Sequence, residues 1–311
     1  MPETSKKILI SGASGLIGSA LTQALQVQQI EVLQLSRKPS SAGQQTVLRW
    51  DPSAERPVSD PTPLEGLHAA IHLSGANLSS RRWTESYKRE IVSSRVDTTL
   101  ALGRVFSQLQ EPPKAFVCAS ATGIYGNRGS ELLTEDSRHG TGFLTDVCEL
   151  WERAAATAGA SAGRVLHTRF GVVLAPNGGA LAKMLPLFRA GLGGPLGSGR
   201  QWMSWIALPD LVSAMLFLLL DPRAGELTGA FNFTAPGPVT NADFTHALGR
   251  HLHRPAILPA PAFALRLAFG QMADEALLAS SRALPEGLLK AGYRFQASDI
   301  DAALNTVLPR P

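Results

Sequence analysis

The sequence predicts an α/β protein in which a doubly wound parallel sheet carries a smaller, mostly helical lobe towards the C-terminus. Three observations carry that prediction. Short apolar runs alternate with helical patterns up to about residue 175, a glycine-rich turn follows the first run at once, and the alternation fades beyond that point. Strands that alternate with helices pair in parallel, because each helix serves as the crossover that returns the chain to the same edge of the sheet.

Taken in order, Lys7 to Ser11 (KILIS) is a short apolar run that ends in small residues, and the turn from Gly12 to Gly18 follows it. Leu16, Ile17, Ala20, Leu21, Ala24 and Leu25 then recur at helical spacing. Ile30 to Leu35 closes a strand–helix–strand unit of about 30 residues. Val47 to Trp50, Ala69 to Leu73, Ala115 to Ser120 and Arg164 to Val173 read as further strands, with helical patterns over 84–109 and 143–159. Asp51 to Gly66, rich in Pro and Ser, reads as a surface loop. Further on, Gly191 to Gly199 (GLGGPLGSG) holds too many glycines for regular structure. Helical patterns at 208–220 and 240–251 flank a strand-like GAFNFT at 229–234, and Pro-punctuated helical segments fill the rest, ending with Asp299 to Val307. This divides the chain into a core over 1–175, completed by parts of 200–235, and a lobe on the substrate side over 176–311. No internal repeat is found.

Composition narrows the function. The 311 residues are 44% hydrophobic and 17% charged, as in an ordinary globular protein. No long apolar segment precedes the first strand, so no cleaved signal peptide is expected. The most apolar stretch, Leu211 to Leu220, is half the length of roughly 20 residues that a membrane span needs, and reads as a buried helix. The net charge is +4, but basic residues never run beyond pairs such as Lys6-Lys7 and Arg81-Arg82. A nucleic-acid partner is not expected from that pattern, whereas a phosphate-bearing small molecule needs only a few local charges. The two cysteines, Cys118 and Cys148, are isolated, so no metal site is expected and a cytoplasmic location is. The expected partner is a small-molecule substrate, with no membrane; nothing in the sequence indicates the oligomeric state.

The turn GASGLIG places glycines at 12, 15 and 18. Glycine also serves plain tight turns, but a strand before, a helix after and a second strand at this distance predict a Rossmann-type dinucleotide site. A side chain there would block the approach of a pyrophosphate to the backbone. A helix starting near Ser14, with Leu16 and Ile17 in its first turn, offers unpaired N–H groups and a positive dipole end to the phosphates. At the end of the second strand, where an NAD protein usually carries Asp or Glu for the ribose, the chain has Ser36-Arg37-Lys38. Arginine donates several hydrogen bonds to a 2′-phosphate and no carboxylate repels it, so NADP is the expected cofactor. Otherwise Arg37 and Lys38 merely begin a solvated loop.

With these glycines placed, the chain resembles the atypical, extended short-chain dehydrogenases known as epimerase family proteins, which carry a distinctive C-terminal extension. The resemblance rests on ILISGASGLIG, LSRKP, HLSGANLSSRRW at 72–83, CASATGIYG at 118–126, the segment 168–206 with its GLGGPLGSG, and the extension from about His253. It implies nucleotide contacts from Ser36, Arg37, Leu73, Ser74 and Gly75, and from Glu90, Arg95 and Val173. Glu90 and Arg95 fall in a helical stretch, where a plain helix-surface role is the alternative.

Short-chain dehydrogenases use a Ser or Thr hydroxyl, a Tyr acid/base and a Lys four residues later that lowers the tyrosine pKa. Ser120 or Thr122 supplies the hydroxyl. With Glu152 of LWERA as the acid that follows the lysine by four, the lysine position falls on Cys148 and the tyrosine position on Leu144. Tyr125 is a candidate replacement, although the resemblance implies that it packs beside the cofactor. Lys183 and Arg189 could reach a substrate or be solvated helix charges. Asp210 reads as a helix N-cap, and Arg169 either anchors an anionic substrate or pairs with a buried acid. Two functions stay open: an NADP(H)-dependent oxidoreductase or epimerase-like enzyme with a non-standard proton donor, and a non-catalytic NADP(H)-binding redox sensor or assembly partner. The intact glycine set argues against a Rossmann protein with no ligand.

Overall fold

The computed structural model describes residues 6–37 and 46–308. Lys38, one of the three residues expected at the ribose, lies outside them. Through the first part of the chain the order is β1 (Lys7–Ser11), α1 (Leu16–Val27), β2 (Glu31–Ser36), β3 (Thr46–Arg49), β4 (Ala69–His72), α2 (Glu85–Phe106), β5 (Phe116–Ala121), β6 (Leu132–Leu133), α3 (Phe143–Ala158), β7 (Val165–Phe170) and β8 (Val172–Leu174). There follow α4 (Gly179–Arg189), β9 (Trp202–Met203), β10 (Trp205–Ala207), α5 (Leu208–Leu220), β11 (Gly229–Phe233), β12 (Val239–Thr240), α6 (Asn241–Leu252), α7 (Ala262–Phe269), β13 (Arg282–Ala283), α8 (Glu286–Lys290) and α9 (Ile300–Val307).

Seven strands form one parallel sheet in the order β11-β7-β5-β4-β1-β2-β3. The chain winds outward from β1 through β2 to β3, then returns to the other side of β1 with β4, so the switch point lies between β1 and β4. Side chains on the two faces of a strand alternate, and here both faces are apolar. Ile8 and Ile10 face Leu21 and Leu25 of α1 and Leu211, Ala214 and Leu218 of α5. Leu9, Ala70, Phe116 and Cys118 face Leu102 and Phe106 of α2 and Trp151 and Ala155 of α3. The apolar run at 211–220 is thus the buried helix α5, and no helix among the described residues is long and apolar enough to cross a membrane.

Three details depart from the sequence reading. The run from Arg164 to Val173 is two strands, not one. At Gly171 the chain leaves the sheet: the Gly171 N–H donates to Phe233 O at 3.1 Å, the Val172 N–H to Ser204 O at 2.8 Å, and β8 pairs with β10 instead. A Cβ at Gly171 would stand 2.6 Å from Ser204 O, so glycine permits this crossing. Second, α1 begins at Leu16 with Gly15 as its N-cap, rather than near Ser14. Third, Asp210 does not cap α5, whose N-cap is Ala207. The Asp210 carboxylate is buried in the first turn and accepts from the N–H groups of Gln296 and Ala297 at 2.8 and 2.9 Å, holding the C-terminal segment against the sheet domain.

The lobe has its own core, in which Leu181, Leu185 and Phe188 of α4, Phe244 and Leu248 of α6, and Ile300 and Leu304 of α9 meet around Trp205. Residues 208–233 return to the sheet domain as α5 and β11, and β13 of the lobe pairs with β6.

Candidate functional site

The glycine turn lies at the switch point, at the carboxyl ends of β1 and β4. In open parallel sheets this is where ligands bind. Each glycine is there for its own steric reason. Gly12 has φ +76°, and a Cβ on it would lie 2.9 Å from Leu73 C and 3.0 Å from Ser74 N, so the segment that follows β4 closes down on the turn. On Gly18 a Cβ would come within 2.3 Å of Gly12 O, and the helix could not pack this close to the turn. Gly15 differs from both. Its Cβ would meet only Gly12 O, at 3.3 Å, and otherwise enter open space beside the exposed Ser14. Gly15 thus leaves room above the start of α1, where no side chain caps the helix and no acid stands in the first turn. Unpaired N–H groups and the positive dipole end face that room. Gly12 and Gly18 thus let the turn pack closely, and Gly15 keeps the space at the helix start open.

Neighbouring elements surround the turn. Leu16 lies under the 178–179 loop: a Cβ on Gly178 would meet its side chain at 2.9 Å, and Gly179 abuts Val173 O. Ile17, Leu73 and Val173 all pack on the core of the α1 face. Ser36 ends β2, and its carbonyl accepts from Trp50 N–H at 3.1 Å; Arg37 follows it, exposed. Arg95 reaches from α2 under Gly75, donating to Ala76 O at 3.1 Å and Ile91 O at 3.0 Å and stacking over Trp151 at 5.0 Å. Burial weakens its hold on its proton, and among the described residues no acid forms an ion pair with it. Glu90 is not gathered with the others: it is exposed on α2, with Arg81 at 3.7 Å.

Beyond the turn a cavity of about 330 Å³ opens between the sheet domain and the lobe. Thr122, Leu144, Val147, Cys148 and Trp151 form one wall, and Met184, Trp202, Phe244 and Ser281 stand on the other. The positions assigned to the tyrosine and lysine therefore do face a cavity, but as Leu144 and Cys148. Burial pushes the Cys148 thiol up to about 11, with the Glu152 charge adding to it, so it stays protonated. The hydroxyl of Ser281 is buried with no hydrogen-bond partner in the protein.

Of the three candidate hydroxyls, only Thr122 lines this cavity. Ser120 donates to Glu152 Oε1 at 2.7 Å. Tyr125 is fully buried; its hydroxyl donates to Asn232 Oδ1 at 2.7 Å and accepts from Arg169 Nη1 at 3.0 Å. Arg169 grips Glu152 with two hydrogen bonds of 2.9 Å, which settles its alternatives in favour of the buried acid. Burial alone would raise the Glu152 carboxyl, but the Arg169 guanidinium and the Ser120 hydroxyl outweigh it and hold the group below its ordinary range. Burial likewise keeps the Tyr125 phenol raised, against the pull of Arg169. Lys183 donates to the Ser79 hydroxyl and Arg189 is exposed on α4; neither lines the cavity.

Sequence reasoning missed the buried Asn232, the buried Ser281 hydroxyl and, beneath the turn, a buried histidine. His72, the last residue of β4, joins Ser11 Oγ at 2.5 Å through Nδ1 and Thr98 Oγ1 at 3.2 Å through Nε2, tying β1, β4 and α2 together. Burial, assisted by the Arg95 charge, lowers it to about 3. A histidine closing a wholly apolar strand was the available signal.

Comparison with known proteins agrees with this architecture. Residues 8–233 match the NAD dependent epimerase/dehydratase family, and residues 260–307 match a domain of unknown function (DUF1731). The chain is 42% identical to the epimerase family protein Mb2239 of Mycobacterium bovis over 98% of both chains. It is 35% identical to the human epimerase family protein SDR39U1, covering 97% of this chain and 99% of that one. The crystal structure of human SDR39U1 (isoform2) with NADPH superposes with a TM-score of 0.86 at 34% identity, over 97% of this chain and 98% of that one. These matches bear out the resemblance seen in the sequence: the chain belongs to the NAD dependent epimerase/dehydratase family and carries a DUF1731 domain towards its C-terminus.

Proposed function

We propose that the protein binds NADP(H) at the switch point and passes a hydride between it and a small, largely apolar carbonyl compound held in the cavity. The observation that carries this reading is the position of Arg95, which packs against Gly75 near the glycine turn and also lines the cavity that holds the Thr122 and Ser281 hydroxyls. Bound there, the cofactor supplies the hydride chemistry. Gly12, Gly15, Gly18 and the start of α1 cradle its phosphates, Arg37 and Ser36 hold the 2′-phosphate, and Leu73, Ser74, Gly75 and Val173 flank it. Arg95 answers its negative charge from below. The similarity to a human protein crystallised with NADPH supports the choice of cofactor.

Thr122 orients the carbonyl, and Ser281 offers it a second hydrogen bond. Leu144, Cys148 and Trp151 exclude water. The Ser120 and Tyr125 hydroxyls are held by Glu152, Arg169 and Asn232, and serve the framework rather than proton transfer. With Leu144 and Cys148 where a tyrosine and lysine would stand, the proton on the product oxygen comes from solvent at the cavity mouth, relayed by the Thr122 hydroxyl. That same substitution favours a second reading, a non-catalytic NADP(H)-binding sensor. Single-turnover mixing of the NADPH-loaded protein with a panel of small aldehydes and ketones separates them. Oxidation of bound NADPH that slows at least about tenfold in Thr122→Val supports the enzyme, whereas tight binding with no oxidation across the panel supports the sensor.

A further inference from the structure

Seven of the eleven exposed large hydrophobic residues among the described ones lie in just two segments, 178–207 and 244–273. Leu187 and Leu192 come from the first, and Ile257, Leu258, Phe263, Leu267 and Phe269 from the second, with exposures of 73% for Phe263 and 75% for Leu267. The two segments form one surface. The Leu258 N–H donates to Gly193 O at 3.1 Å, Ala260 N–H to Pro195 O at 2.9 Å, and Arg254 Nε to Arg189 O at 3.0 Å, and the chain then runs straight into α7. On α7, Phe263 and Leu267 stand one helical turn apart, both outward.

Cations outnumber acids along this surface, although Asp243 and Asp274 flank the second segment and Asp301 reaches it. The two segments hold six lysines and arginines (Lys183, Arg189, Arg200, Arg250, Arg254 and Arg266) and not one Asp or Glu. Asp301 and Asp274, from outside the segments, pair with Arg250 and Arg266. The other four form no ion pair among the described residues. Beside Ile257 a shallow groove is lined by His246, Arg250, His253 and Arg254.

We propose that this face docks the protein on an anionic membrane surface, with Phe263, Leu267 and Ile257 entering the boundary of the acyl chains and the surrounding cations meeting lipid phosphates. An exposed apolar patch with a basic border has the composition of an interfacial anchor. A second copy is the poorer occupant, because a two-fold contact sets this patch against itself and brings unpaired cations face to face. The contact is peripheral and needs no membrane-spanning helix, so the sequence, searched for apolar length, gives no sign of it.

Co-sedimentation of the full chain with vesicles tests the proposal. Vesicles of phosphatidylcholine with phosphatidylglycerol should bind the protein at least about tenfold more tightly than phosphatidylcholine alone, and added salt should weaken the binding. Phe263→Ser/Leu267→Ser, and separately Arg189→Gln/Arg254→Gln, should each lower that binding at least about tenfold while NADPH affinity and the melting temperature stay at wild-type values. Equal binding to both vesicle types, no binding to either, or binding unchanged in both double variants would overturn the proposal. So would a dimer in solution that the Phe263→Ser/Leu267→Ser variant converts to monomers, since the face would then be covered by a second copy.

Discussion

Gly15 and Gly12 sit three residues apart in one turn, yet their substitution has different consequences. Gly12 combines a positive φ with backbone atoms 2.9 Å from where a Cβ would stand, so Gly12→Val strains the fold itself. Gly15 has φ −77° and faces open space apart from one carbonyl. Gly15→Val is therefore expected to melt within a few degrees of wild type while losing measurable NADPH binding in calorimetry; wild-type affinity in that variant would remove the pyrophosphate from this turn. His72 gives a prediction of another kind. Its folded value of about 3 lies below the ordinary 6.5, so the unfolded chain takes up a proton that the folded one refuses. The stability this withholds is fully present above pH 6.5 and is lost as pH falls towards 3, at about 1.4 kcal/mol per pH unit for one proton. His72→Gln should flatten the pH dependence of unfolding free energy between pH 6 and 4 by about that slope. An unchanged slope would mean that His72 is protonated in the fold.

At the scale of elements, the network of Ser120, Glu152, Arg169, Tyr125 and Asn232 joins β5, α3, β7 and β11 below the cavity. Its ion pair is nearly buried, with side-chain exposures of 5% and 12%. Arg169→Met leaves the Glu152 carboxylate uncompensated and should cost about 3–5 kcal/mol in urea unfolding, while Arg169→Met/Glu152→Met should recover much of the loss. A cost below about 1 kcal/mol for the single variant would show that the pair is not holding these elements. The same network marks where sequence reading stopped. Strands and helices of the sheet domain were legible because their apolar periods are long and uninterrupted, as in KILIS and 208–220. Gly171 hid a change of sheet inside an apolar run. Asp210 followed a proline ahead of an apolar helix, a pattern that looks like a cap whether or not its carboxylate points at a segment 86 residues away.

Across the whole molecule, the glycine turn was legible and the cavity was not, for a physical reason. The turn is one contiguous segment, whose glycines show in the sequence as a spacing. The cavity draws on residues from Thr122 to Ser281, brought together only by the packing of the lobe on the sheet domain. Family membership accounts for the architecture, and the proposed choice of NADP rests on the residues that end β2. Arg37 and Ser36 stand where a carboxylate would accept a free ribose hydroxyl, and each hydrogen bond to a charged phosphate is worth roughly 1.5–3 kcal/mol. Paired calorimetric titration of wild type and Arg37→Asp with NADPH and NADH, at one fixed salt concentration, tests this most directly. Wild type should prefer NADPH by about tenfold to a hundredfold, and Arg37→Asp should reverse the order. Equal affinity of wild type for the two cofactors would contradict the assignment of NADP and leave Arg37 as a solvated loop residue.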